Sequence, residues 1–129
     1  MSDPSKLIVL EKAHELFERV HDAAESIRKP HHADLKRHML KTALSIPSNI
    51  AEGRRKKSQH EFLRFLDIAL GSNGELETQL RAAKDCRAIP LTMHSELAKR
   101  AEEIGKMLTG LMRRIREDLQ QLDNPEATG

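Results

Sequence analysis

The chain has 129 residues, 38% of them hydrophobic and 33% charged, which sizes it for one domain with a modest core. Three Phe with no Tyr or Trp argue against a β-sandwich and against RNA-binding folds that stack bases on aromatic sheets, and a single Cys excludes an intrachain disulfide framework or a multi-Cys zinc site. The net charge of +2 conceals an asymmetry: residues 28–64 carry ten basic side chains against Asp34, Glu52 and Glu61, a segment of +7 that leaves −5 for the rest.

The punctuation of the chain predicts four helices, at about 4–29, 32–53, 58–88 and 92–122, with a tail over 123–129, in a single domain spanning 1–129. Asp3-Pro4 suits the start of the first helix, because Pro is tolerated at the first helical position, and Pro30 is expected to end it. Its apolar residues Val9, Ala13, Leu16, Phe17, Val20, Ala24 and Ile27 fall in an arc of about 100°. The apolar run Leu7 to Leu10 is far short of the ~20 residues of a membrane span, and no signal peptide precedes it, so a cytoplasmic chain is expected. Glu11/His14 and Glu18/His21 have the Glu-x-x-His spacing of di-iron bundles, but both pairs lie on one helix, away from its apolar stripe. No metal or other cofactor is expected.

The second helix carries Leu35, Met39, Ala43, Ile46 and Ile50 as its main stripe, with Leu40, Leu44 and Ala51 widening the apolar arc to about 180°. Pro47 removes a backbone donor and is expected to bend the helix near Ala43 to Pro47, with Ser45, Ser48 and Asn49 satisfying freed groups. Gly53 is placed to end the helix with a positive φ. The basic run Arg54-Arg55-Lys56-Lys57 then forms a turn. Ser58 and Glu61 have the spacing of a capping box for the third helix.

That third helix has Phe62, Phe65, Ala69, Leu76, Leu80 and Ala83 as its stripe and Leu63, Leu66 and Leu70 as a second ridge. Gly71-Ser72 offers small side chains where a neighbouring helix could come close. Cys86, near its end, reads as a small apolar packing residue. Thr92 is placed to cap a fourth helix with a single stripe from Leu97 to Leu122 and alternating charges on the other face; Asn124 to Gly129 reads as a frayed tail.

Four such helices predict an all-α, antiparallel up-down-up-down bundle. The surplus ridges on helices two and three predict a homo-oligomer, with Leu40, Leu44, Leu63, Leu66 and Leu70 at the interface. The basic group Arg37, Lys41, Arg54, Arg55, Lys56, Lys57 and Arg64 is the candidate nucleic-acid-binding surface, since Lys and Arg neutralise phosphates with salt-sensitive, mostly sequence-independent affinity. The shortage of aromatics points to phosphate and shape recognition rather than base readout.

The stretch Ser45-Ile46-Pro47-Ser48-Asn49-Ile50-Ala51-Glu52-Gly53, followed by Ser58, Glu61-Phe62, Phe65-Leu66, Ile68-Ala69, Gly71-Ser72, Glu75-Leu76-Glu77 and Leu80, resembles the bacterial four helix bundle protein family. That family includes proteins encoded in 23S rRNA intervening sequences, and the accessory variability protein of diversity-generating retroelements is a relative. The close resemblance covers about Ser45 to Ala83. It implies a bundle assembled into a homopentameric, ring-like barrel that binds nucleic acid through basic surface, in the retroelement case alongside a reverse transcriptase. It brings no catalytic residues. This chain departs from the pattern in lacking Tyr and Trp in the first helix and in its heavier basic turn. The expected function is therefore non-enzymatic binding of structured RNA, DNA or an RNA–protein complex. The alternative is a protein–protein adaptor ring without a nucleic-acid role.

Overall fold

A computed structural model describes residues 3–123. Four helices, α1 (Pro4–Glu25), α2 (Ala33–Arg54), α3 (Gln59–Asp85) and α4 (Leu91–Asp123), are joined by short turns, and a single 3-10 turn spans Pro30–His32. There is no strand among the described residues. The packing follows a perimeter in which α1 lies against α2 and α4, and α3 against α2 and α4. The expected tail from Asn124 to Gly129 lies outside the described residues.

Most of each predicted stripe lies in the core, with two departures: Leu122 at the end of the α4 stripe is exposed, and in α3 Leu66 takes the buried place expected for Phe65, which is half-buried. Val9, Ala13, Leu16 and Val20 of α1 meet Met39, Ala43, Ile46 and Ile50 of α2, Leu66, Ala69, Leu76 and Leu80 of α3, and Leu97, Ile104, Leu108 and Leu111 of α4 in one core. Aliphatic side chains dominate it, and Phe62 is its only buried aromatic ring. The helix starts are set by local chemistry. Asp3 caps α1 by accepting from the Ser5 amide at 2.9 Å, with Pro4 in the first turn. Ser58 caps α3 by accepting from the amides of His60 and Glu61 at 3.1 and 3.4 Å.

Several boundaries and roles differ from the sequence expectation. α1 stops at Glu25, before Pro30, because Ser26 turns back on the helix, its hydroxyl donating to the Ala23 carbonyl at 2.6 Å. Lys29, ahead of Pro30, is held in extended backbone, as a residue preceding proline must be. Thr92 is not a cap; α4 begins at Leu91 directly after Pro90. α2 continues through Pro47, which is buried. Asn49 and Ser45 act as backbone partners there, the Asn49 amide donating to the Ser45 carbonyl at 2.8 Å. Ser45 Oγ also lies 2.7 Å from Ser72 Oγ, tying α2 to α3.

Gly53 does not end α2 with a positive φ. It lies inside the helix, and among the described residues no glycine has a positive φ. Its missing side chain serves packing instead, since a Cβ there would come within 2.8 Å of both Phe62 Cδ1 and Phe65 Cβ. Gly71, by contrast, faces open space. The residue that takes positive φ is Arg87, at 64°, where α3 ends. Its amide donates to Lys84 and that of Ala88 to Ala83, at 3.0 and 2.8 Å, the pairing of a Schellman cap with Arg in the usual glycine position. Cys86, the preceding residue, is exposed rather than packed in the core.

Candidate nucleic-acid interface

The Arg54–Lys57 run lies where α2 gives way to α3, and its geometry follows from Gly53. With no Cβ at that position, the first turn of α3 presses Phe62 and Phe65 against the end of α2. Phe62 is buried and Phe65 half-buried, and cations gather on them. Lys56 Nζ stands 5.3 Å from the Phe65 ring centre and the Arg64 guanidinium 5.5 Å from it. Both lie within the range in which a ring face attracts a cation. Glu52, one turn back on α2, meets Lys56 at 3.3 Å and Arg55 at 3.7 Å. Arg54, Arg55 and Lys57 are exposed.

The first turn of α1 completes this end of the bundle. Lys6 Nζ sits 5.2 Å over the Phe62 ring, and Asp3, Lys6, Gly53, Arg54, Lys56 and Gln59 line a notch of about 160 Å³. Asp3 is already engaged, accepting from Ser5 and pairing with Arg114 at 3.3 Å. The hydrogen bond from the Ser5 amide is the main cause holding its carboxyl below the ordinary 3.8, with Arg114 adding to it. Lys6 was not among the expected binding residues; it is separated from the basic run by most of two helices, and only the fold brings them together.

The expected basic group is divided. Arg54 to Lys57 and Arg64 share the end just described. Arg37 and Lys41 lie about 25 and 20 Å back along α2, at 1.5 Å per residue. Both are exposed, and Arg37 pairs with Asp34 at 2.7 Å. At that opposite end of α2, His32 is buried against Cys86, with Nδ1 and Sγ 4.0 Å apart. Burial chiefly, then the charges of His31 and Lys29, push the His32 imidazole below its ordinary 6.5. Glu11, His14, Glu18 and His21 are all exposed on α1, and His21 contacts Glu25 at 3.4 Å.

The expected interface residues also separate. Leu66 is fully buried and belongs to the core, so it offers nothing to a second copy. Leu40, Leu63 and Leu70 pack partly against that core, while Leu44 is 49% exposed. Thr42 and Ser45 mark the side of α2 that meets α3, through Gln79 and Ser72. Leu40 and Leu44 lie about 160° around the helix from Thr42 and so belong to the far side, toward α1. Leu70, with Leu63 two turns before it on the same face, instead borders the seam with α4. That seam is an open groove of about 570 Å³, where Gly74, Gly105 and Gly110 leave room between the helices. Asn73 crosses beneath it, its amide donating to the Ala101 carbonyl at 2.8 Å.

Residues 5–110 match the family model described as 23S rRNA-intervening sequence protein. Among solved structures, the chain is similar to a protein of unknown function from the S23 ribosomal protein family of Bacteroides thetaiotaomicron. The two are 22% identical, with a TM-score of 0.79 over 84% of this chain and 98% of that one, a likeness of fold. No curated protein matches the chain.

Proposed function

This chain belongs to the 23S rRNA-intervening sequence protein family, and we propose that it is a non-catalytic scaffold that binds nucleic acid through the basic end of the bundle. Its target in this reading is structured RNA, free or within an RNA–protein complex such as one holding a reverse transcriptase. The observation that carries the proposal is the gathering of Lys6, Arg54, Lys56 and Arg64 around Phe62 and Phe65, beside the exposed Arg55 and Lys57. Counterion release by such a group gives affinity that falls steeply with salt.

The working unit in this reading is a ring of copies, five by family resemblance, whose bundles run up-down-up-down. Ion pairs between α1 and α4 support the antiparallel course: Asp3 pairs with Arg114, Lys12 with Glu103 and Glu15 with Arg100, so the partner number falls as the α1 number rises. Support for a ring comes from the separation of the two apolar ridges. Leu44 lies on one side of the α2–α3 pair and the groove beside Leu70 on the other, so contact between copies is head-to-tail, the type that closes into rings.

The test is filter binding of a structured RNA at rising salt. Replacing Arg54, Arg55, Lys56 and Lys57 together with Ala is expected to cut affinity by about a hundredfold at low salt and flatten the salt slope. Unchanged binding would refute the assignment. Salt-insensitive capture of one protein, without RNA, would favour an adaptor ring instead.

A further inference from the structure

We propose that the notch between the first turn of α1 and the α2–α3 turn is a seat for one phosphate group, held by Lys6, Arg54 and Lys56 above the Phe62 ring. The inference rests on the nucleic-acid reading of this end and narrows it from a diffuse basic surface to a built site with a stated ligand chemistry. The basic run alone would give no such distinction, because Arg55 and Lys57 carry the same charge but do not line the notch.

Size is the first argument. About 160 Å³ is the room of roughly five waters at ~30 Å³ each, enough for a phosphate group with part of its hydration. It is well below the ~300 Å³ at which pockets begin to enclose drug-sized ligands, so the notch suits a phosphate group, with any sugar and base attached to it lying outside.

Charge is the second. Three cations line the notch with one carboxylate, Asp3, and that carboxylate already accepts from Ser5 and pairs with Arg114. Lys56 shares Glu52, but among the described residues Lys6 and Arg54 have no carboxylate within 4 Å. A ligand bringing negative charge would therefore meet two unspent cations and the amide of Gln59. The floor is the buried ring of Phe62, which excludes water from one side and strengthens the field felt above it. The α3 helix also begins at Gln59, so the positive end of its dipole adds to the same spot.

The third argument is the mode of construction. The notch exists because Gly53 lets α3 approach α2 closely, which brings Phe62 under Lys6. It is thus walled by three helices that the core holds in place, and its cations are partly ordered before ligand arrives.

The chemistry fits either a terminal phosphomonoester or an internal phosphodiester of RNA. The experiment begins with inorganic phosphate titrated into the full-length protein, read by amide chemical shifts. Shifts centred on Lys6, Arg54, Lys56 and Gln59 are expected. Lys6→Gln should weaken that binding about tenfold, the size of one charge-assisted contact. Lys6→Arg should restore it, and Arg55→Ala with Lys57→Ala should leave it unchanged while weakening RNA. Two RNA oligonucleotides of one sequence, with a 5′-phosphate or a 5′-hydroxyl, separate the sources. A preference for the first that Lys6→Gln abolishes assigns the monoester; equal weakening of both assigns the internal phosphate. Phosphate shifts scattered over all basic residues, or phosphate and RNA binding indifferent to Lys6→Gln, would overturn the seat. RNA binding that survives Lys6→Gln but falls with the quadruple Ala variant would leave the broader reading standing, so the two failures are distinguishable.

Discussion

Gly53 and Gly71 are both helical glycines, and replacing each with Ala gives opposite predicted outcomes. Helix propensity alone favours Ala over an interior Gly by about 1 kcal/mol. At Gly71 nothing opposes that gain, because an added Cβ meets no atom within 4 Å, so Gly71→Ala should stabilise by about 0.5–1 kcal/mol. At Gly53 the same Cβ would come within 2.8 Å of Phe62 Cδ1 and of Phe65 Cβ. Carbon atoms pack best about 3.5–4.0 Å apart, so each contact is too close by about 0.7–1.2 Å. Neither neighbour has freedom to retreat. The Phe62 ring is 2% exposed and wedged in the core, and a Cβ moves only with its backbone, so relief requires the start of α3 to shift. Overpacking of this kind costs about 1–3 kcal/mol, and with the propensity gain subtracted Gly53→Ala should destabilise by up to about 2 kcal/mol. Urea denaturation followed by circular dichroism at 222 nm measures both variants on one scale. Equal stabilisation by the two substitutions would refute the claim that Gly53 exists for close packing of α2 on α3.

Other expectations follow from the same geometry. Arg87→Gly should stabilise by about 0.5–1 kcal/mol in the same denaturation assay, since the strain of an L residue at φ 64° exceeds the added freedom of the unfolded chain; destabilisation would show that the Arg87 side chain matters more than its backbone. His32 has a depressed folded pKa, so protonation favours the unfolded chain, and the stability its neutral form contributes is lost as pH falls below about 6.5. The Tm of His32→Gln should therefore decline less between pH 7.5 and 5 than that of the unmodified protein; parallel declines would contradict this. Leu44→Glu changes an exposed residue, so it should shift monomer stability by less than about 0.5 kcal/mol while converting a sedimenting oligomer to monomer; an intact oligomer would remove Leu44 from the contact.

The residues that were legible in the sequence are those whose roles are local. Asp3 and Ser58 cap because a short polar side chain can reach amides two and three residues on, and the core stripes follow from helical phase alone. What was not legible depends on a second element. Gly53 read as a helix end because a glycine after a helical run usually is one; only the position of Phe62 and Phe65 makes it a packing residue. The α3 cap was hidden because Arg87 stands where glycine is common. Leu66 was open to reading but was set on the wrong ridge: with Phe62, Ala69, Asn73, Leu76, Leu80 and Ala83 it forms one buried stripe of about 100°, and Phe65, counted into that stripe, is half-buried at its edge. Lys6 carries no signal in its own neighbourhood; its role arises from the return of the chain to the same end of the bundle.

The two surfaces proposed here have different geometry, and that makes them separable. The apolar ridge at Leu44 and the groove beside Leu70 run along the flanks of the bundle, whereas the phosphate notch is at its end. Copies joined flank to flank would leave the ends free and bring their basic turns side by side, so one RNA could engage several at once with avidity well above that of a single subunit. The near-neutral net charge has a role in this arrangement, because the −5 carried outside residues 28–64 limits repulsion among subunits whose basic segments are each +7. Leu44→Glu should then lower affinity for a long structured RNA while leaving inorganic phosphate binding by each subunit unchanged. Lys6→Gln should do the reverse at the level of assembly, weakening phosphate without altering sedimentation. A Lys6→Gln protein that dissociates, or a Leu44→Glu protein that loses phosphate, would mean that flank and end are one coupled surface.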